Sequence, residues 1–117
     1  MLYHLLDSIK HNPALFLNEQ SVTGLSSFLL GWQTAKNVYK IPLDEDESDF
    51  DHFQEWVAQR YNIQTSQPWP RIISFFSMDD KESLKLFFRL LEEYRSRSSA
   101  QRMPALASEK MILADPV

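Results

Sequence analysis

A chain of 117 residues can bury one hydrophobic core and is too short to hold a catalytic domain beside a regulatory one. Hydrophobic side chains at 44% and aromatic ones at 13% exclude a disordered polymer; the lack of cysteine excludes a disulfide scaffold, a thiolate nucleophile and thiolate-bound zinc, and fits a reducing cytoplasm. The net charge of -4 is uneven: residues 1–80 hold 5 basic and 11 acidic side chains, a balance of -6, and residues 81–117 hold 7 and 5, a balance of +2, so most of the chain repels phosphate backbones and no nucleic-acid partner is expected.

Met1, Leu2, Leu5, Leu6 and Ile9 recur at helical spacing and predict an amphipathic helix over the first ten residues. This start lacks the basic residues and long apolar run of a secretion signal. No stretch reaches the roughly 20 apolar residues that span a bilayer, so no membrane association is expected. Pro13 disfavours helical geometry at Asn12 and ends the helix, and the following ALFLNEQ reads as a loop against the core. Ser21 caps a predicted helix to about Tyr39 that turns Val22, Leu25, Phe28, Leu29, Trp32 and Ala35 inward. Gly24 and Gly31 are the only glycines. Gly31 lies mid-helix at a cost of about 1 kcal/mol relative to Ala, which is expected where another helix approaches closely.

Residues 44–55, DEDESDFDHFQE, place six carboxylates in the eight positions from Asp44 to Asp51 and another at Glu55. Ser48 or Asp49 would cap a helix from about Asp49 to Tyr61, with Phe50, Phe53, Trp56, Val57 and Tyr61 inward. Asp49 and Asp51 then meet the positive end of the helix dipole, for about 0.3 to 1 kcal/mol each. Asp44, Glu45, Asp46 and Glu47 are left without a local structural use. They read either as a solvated loop or as a surface that draws in a basic partner. Asp44, Glu45, Asp46, Glu47, Asp49 and Asp51 are therefore the candidate partner-binding residues. A calcium loop laid over Asp44, Asp46, Ser48 and Glu55 fails, because Asp49 stands where glycine is needed and Asp51 where an apolar residue is needed, so no metal site is expected.

Polar NIQTSQ precedes PWPRIISFFSM, which suits a helix opened by Pro70 or a buried strand; helix is favoured because a lone strand would have no partner. Asp79 and Glu82 form a predicted capping box for a helix to about Arg95, striped by Leu84, Phe87, Phe88, Leu91 and Tyr94 and placed at the centre of the fold. Lys81, Lys85 and Arg89 on that helix read as a solvated face. From Ser96 the chain turns polar. Residues 98–117 form a predicted tail whose Met103, Leu106, Met111, Ile112 and Leu113 could dock on the body, residues 1–97, or on a second subunit.

Chemistry-bearing patterns are few. There is no nucleophile elbow, phosphate loop or histidine-rich metal helix. His4, His11 and His52 read as structural or solvent-facing, with His52 near enough to Asp49, Asp51 or Glu55 to pair with one of them. Trp32, Trp56 and Trp69 read as core. The chain is accordingly expected to be no enzyme and to need no cofactor.

The segments NPALFLNEQSVTGLSSFLLGWQTA, DFDHFQEWVAQRYNI and PWPRIISFFSMDDKESLKLFFRLLEEY together resemble a group of small bacterial all-α proteins, some of which accompany polymorphic toxin systems as immunity proteins. Pro13, Gly31, Trp32, Phe53, Glu55, Trp56, Val57, Trp69, Phe87 and Phe88 carry the resemblance, whereas Ala14 and Asn18 replace glycines of that pattern. It implies a non-enzymatic inhibitor and makes a basic toxin domain the target of the acidic run. The expected fold is a compact all-α bundle of about five helices. The expected function is a cytoplasmic protein-binding module, and the alternative is a homo-oligomeric structural or regulatory protein that self-associates through the tail, for example as a homodimer.

Overall fold

The computed structural model describes residues 1–97, so the predicted tail lies outside the described residues. Among the described residues the fold is all-α, with seven helices and no strand. The Leu2, Leu6 and Ile9 stripe folds as Leu2–His11 (α1) and is buried. The expected loop after Pro13 instead opens with a helical turn, Pro13–Phe16 (α2), because a proline at the first helical position has the right φ and lacks only an N–H that would have had no partner. Val22–Val38 (α3) starts at Ser21, whose hydroxyl accepts from the Gly24 N–H at 2.9 Å.

The single helix expected from Asp49 to Tyr61 is two helices, Glu45–Phe50 (α4) and Phe53–Arg60 (α5), separated by a turn at Asp51 and His52. The ambiguous stretch is the helix Trp69–Phe75 (α6), with Pro68 at its cap and Pro70 in its first turn, where missing N–H groups cost no intrahelical bond. Asp79 accepts from the Glu82 N–H and begins Asp80–Arg95 (α7).

α7 is the hub, burying Leu84, Leu86, Phe87, Phe88, Leu90, Leu91 and Tyr94 and packing against α3, α5 and α6. Its aromatic residues meet those of the neighbouring helices mostly edge to face, with Phe53 centred 5.6 Å from Phe87 and 5.3 Å from Tyr94. Such pairs contribute about 0.5 to 1.5 kcal/mol each beyond the area they bury. The expected inward place of Ala35 is taken by Lys36: Ala35 is exposed and the lysine is buried.

α3 and α5 end alike. Lys40 and Asn62 take left-handed φ values of 57° and 55°, while Ile41 N–H donates to Lys36 C=O and Ile63 N–H to Ala58 C=O. These six-to-one bonds satisfy carbonyls left over at the helix ends and turn the chain sharply.

The two glycines have opposite roles. A Cβ on Gly24 would sit 2.0 Å from the Glu19 carbonyl oxygen, so the chain before α3 folds back against a position that only glycine can fill. Gly31 is exposed and a Cβ there meets nothing within 4 Å, so the expected close helix contact is absent among the described residues. Gly31→Ala should therefore stabilise the fold by about 0.5 to 1 kcal/mol, whereas Gly24→Ala should destabilise it by about 1 to 3 kcal/mol, both read from urea unfolding midpoints.

Candidate functional site

A six-residue helix has too few internal hydrogen bonds to persist alone, so α4 must be held by its surroundings. Its acidic side chains do the holding. Asp44 is the N-cap: its Oδ1 accepts from the Glu47 N–H and Glu47 Oε1 accepts from the Asp44 N–H, both at 3.1 Å, closing a capping box. The expected cap at Ser48 or Asp49 is thus displaced, and Asp44 and Glu47 do have a local structural use.

The same Glu47 turns inward. It is 3% exposed and Lys36 6%, and the Lys36 ammonium donates to Glu47 Oε1 at 2.5 Å while lying 4.8 Å from the centre of the Trp32 ring. Glu47 Oε2 is buried without a hydrogen-bond partner among the described residues, so the carboxylate is balanced chiefly through one oxygen. Asp46 accepts from the Tyr3 N–H at 3.1 Å and from the Met1 ammonium at 2.6 Å. Asp49 binds at three points: Oδ2 accepts from the Tyr3 hydroxyl, Oδ1 from Arg97 at 2.8 Å, and its backbone carbonyl from the Tyr94 hydroxyl. The Arg97 guanidinium also lies 3.5 Å from the centre of the Tyr94 ring. α1, α3 and α7 therefore all converge on α4.

Of the six candidate residues, Asp44, Asp46, Glu47 and Asp49 are engaged inside the fold, and Glu45 and Asp51 are exposed. Phe50 enters the aromatic core, stacked on Phe53 at 5.1 Å. His4, His11 and His52 are exposed, and His52 makes no ion pair with Asp49, Asp51 or Glu55 among the described residues. Among those residues no group of three His, Asp or Glu side chains is arranged to hold a metal ion.

Sequence reasoning passed over Lys36, Tyr3 and Arg97. For Lys36 a signal existed: Val22, Leu25, Leu29, Trp32 and Lys36 follow alternating steps of three and four, so the inner stripe runs through the lysine and not Ala35. Tyr3 and Arg97 lie 46 and 48 positions from Asp49, and no local pattern joins them.

A second feature is apolar. At the end of α6, Phe76 stacks on Tyr61 at 4.4 Å and Phe75 meets Phe76 edge-on at 5.0 Å. Phe75 is 79% exposed, and nearby Met78 is 92% exposed. No helix of the described residues is long and apolar enough to cross a membrane. No protein-family model matches the chain, and comparison with curated proteins and with solved structures finds no significant match.

The bonds shift several acidities. The Glu47 N–H, aided by the Met1 ammonium, holds Asp44 below its ordinary value. Burial pushes Asp46 up, but the Met1 ammonium and the Tyr3 N–H outweigh it and leave Asp46 below its ordinary 3.8. Burial and the Asp49 carboxylate raise the Tyr3 hydroxyl well above its usual range.

Because the folded value of Asp46 is depressed, its contribution to stability is complete above 3.8 and is lost as pH falls through the folded value. Asp46→Asn still accepts from Tyr3 but cannot titrate there, so its melting temperature should fall less steeply than wild type below that pH. Glu47→Ala strands the Lys36 ammonium and should cost about 3 to 5 kcal/mol in urea unfolding, whereas Lys36→Met with Glu47→Leu, which removes both charges, should recover most of the loss.

Proposed function

We propose that this chain is a non-enzymatic protein-binding module, acting in the cytoplasm in the manner of an immunity-type inhibitor, and that it meets its partner through the aromatic patch at the end of α6. The exposure of Phe75 and Met78 carries this reading. Aromatic and methionine side chains are enriched where protein interfaces are driest, and methionine adapts its shape to a partner surface. The Tyr61–Phe76 stack braces the patch, which limits the side-chain entropy lost on binding.

The acidic segment takes a narrower role. Glu47 and Asp49 hold the fold, while exposed Glu45 and Asp51, with partly exposed Asp44 and Asp46, would guide a basic surface such as that of a toxin domain during encounter. Steering of this kind changes association rates and leaves the contact itself to the patch. The same exposed side chains also favour a second reading, in which the patch closes on a second copy about a two-fold axis.

Affinity capture from the native cell and light scattering of the purified chain test both. A partner retained by wild type should be lost with Phe75→Ser and Met78→Ser, while Glu45→Gln with Asp51→Asn should slow its association and flatten the salt dependence without abolishing binding. A dimer that the patch variant converts to monomer would support self-association instead. Capture of the same partner by wild type and patch variant would contradict the patch as the contact.

A further inference from the structure

The described residues carry ten Lys and Arg side chains, of which Lys36, Arg60, Arg95 and Arg97 are in ion pairs. The other six are Lys10, Lys40, Arg71, Lys81, Lys85 and Arg89, and four of them line one cleft of about 610 Å³ between α7 and the α1–α2 corner. None of those four has a carboxylate within ion-pair distance among the described residues, and Glu92 is the one acidic side chain in the lining. Leu84 and Phe88 form the apolar floor. The expected solvated face of α7 is thus one wall of a basic cleft, with Lys10 contributed from the end of α1.

Position along α7 defines the shape of a fitting ligand. Lys81, Lys85 and Arg89 follow one another at four-residue intervals, about 6 Å apart along the axis. A second cleft of about 340 Å³ shares Lys10, Phe88 and Glu92 with the first and continues past Leu91 to Ser96; Arg95 there is paired with Asp7, so the positive charge without an ion pair among the described residues lies at the end of the groove from Lys81 to Arg89. Together they make a groove alongside α7 from residue 81 to residue 96, roughly 22 Å long at the helical rise. In a chain of net charge -4, four uncompensated cations around one cleft form a local positive field that a ligand can relieve.

We propose that this groove is the docking site for an acidic amphipathic helix of a partner protein. Carboxylates on such a helix at four-residue spacing match Lys81, Lys85 and Arg89 in pitch, and apolar residues between them cover Leu84 and Phe88. The length of the groove fits a helix of several turns better than a compact anion. A nucleic-acid backbone would find its extended phosphate charge repelled by the acidic remainder of the molecule. The groove and the aromatic patch share no residue, and either surface can fail without the other.

Selection of displayed, randomised 16-residue peptides on the full chain, followed by fluorescence anisotropy with the best peptide, tests it. Selected peptides should be rich in Asp and Glu at four-residue spacing. Their affinity should fall about tenfold or more with Lys85→Glu and Arg89→Glu, weaken with salt, and be unaffected by Lys40→Glu, a charge outside the groove. Lys85→Gln with Arg89→Gln gives the same comparison should the reversed charges disturb folding, which circular dichroism reports. Failure to select any peptide, selection without acidic enrichment, equal affinity for the groove variants, or tighter binding of a single-stranded oligonucleotide or of tripolyphosphate than of the peptide would overturn the proposal.

Discussion

The buried contact between the Lys36 ammonium and the Glu47 carboxylate is the constraint on which this side of the molecule depends. Two charges taken out of water cost several kcal/mol each, and they are tolerated only when paired and hydrogen-bonded. That requirement fixes where the end of α3 meets the start of α4. Glu47 also closes the capping box with Asp44, so one carboxylate both begins the short helix and ties it to its neighbour. Asp46 and Asp49 then hold the two ends of the sequence-distant scaffold, α1 through Tyr3, α7 through Tyr94, and the chain just past α7 through Arg97. A concentration of charge that suggests a free surface is, for the most part, internal fastening.

Elements defined by their own residues are legible in the sequence. The α1 stripe, the Ser21 and Asp79 caps, the helical reading of the stretch after Pro68 and the apolar faces of α7 all follow from local spacing. Which carboxylate is buried cannot be read locally. That depends on Lys36, 11 positions away, and on Arg97, 48 positions away, brought together only by the packing of the helices. The start of α4 is legible in principle, since Asp44 and Glu47 have capping-box spacing, but Ser48 and Asp49 offer a competing cap nearer the aromatic residues. Gly31 misleads for a different reason. Its cost to the helix is real, yet no neighbouring element among the described residues makes use of the missing side chain.

The surface that remains after this internal use of charge is divided by chemistry. An aromatic patch stands at the end of α6, four cations without an ion pair among the described residues border a groove beside α7, and Glu45 and Asp51 stay exposed beside the fastened acids. A small helical domain whose ion pairs hold its shape can present an apolar contact and a charged groove on rigid elements, as recognition of another protein requires.

Native-state hydrogen exchange of the amides from Glu47 to Asp51 tests most directly whether the acidic segment fastens the fold. If it does, the Ser48 and Asp51 amides, which donate to the Asp44 and Glu47 carbonyls, should exchange only through openings close in free energy to global unfolding. Exchange of those amides at the rate of an unstructured chain, with α3 and α7 still protected, would contradict the account and return the segment to the status of a free acidic loop.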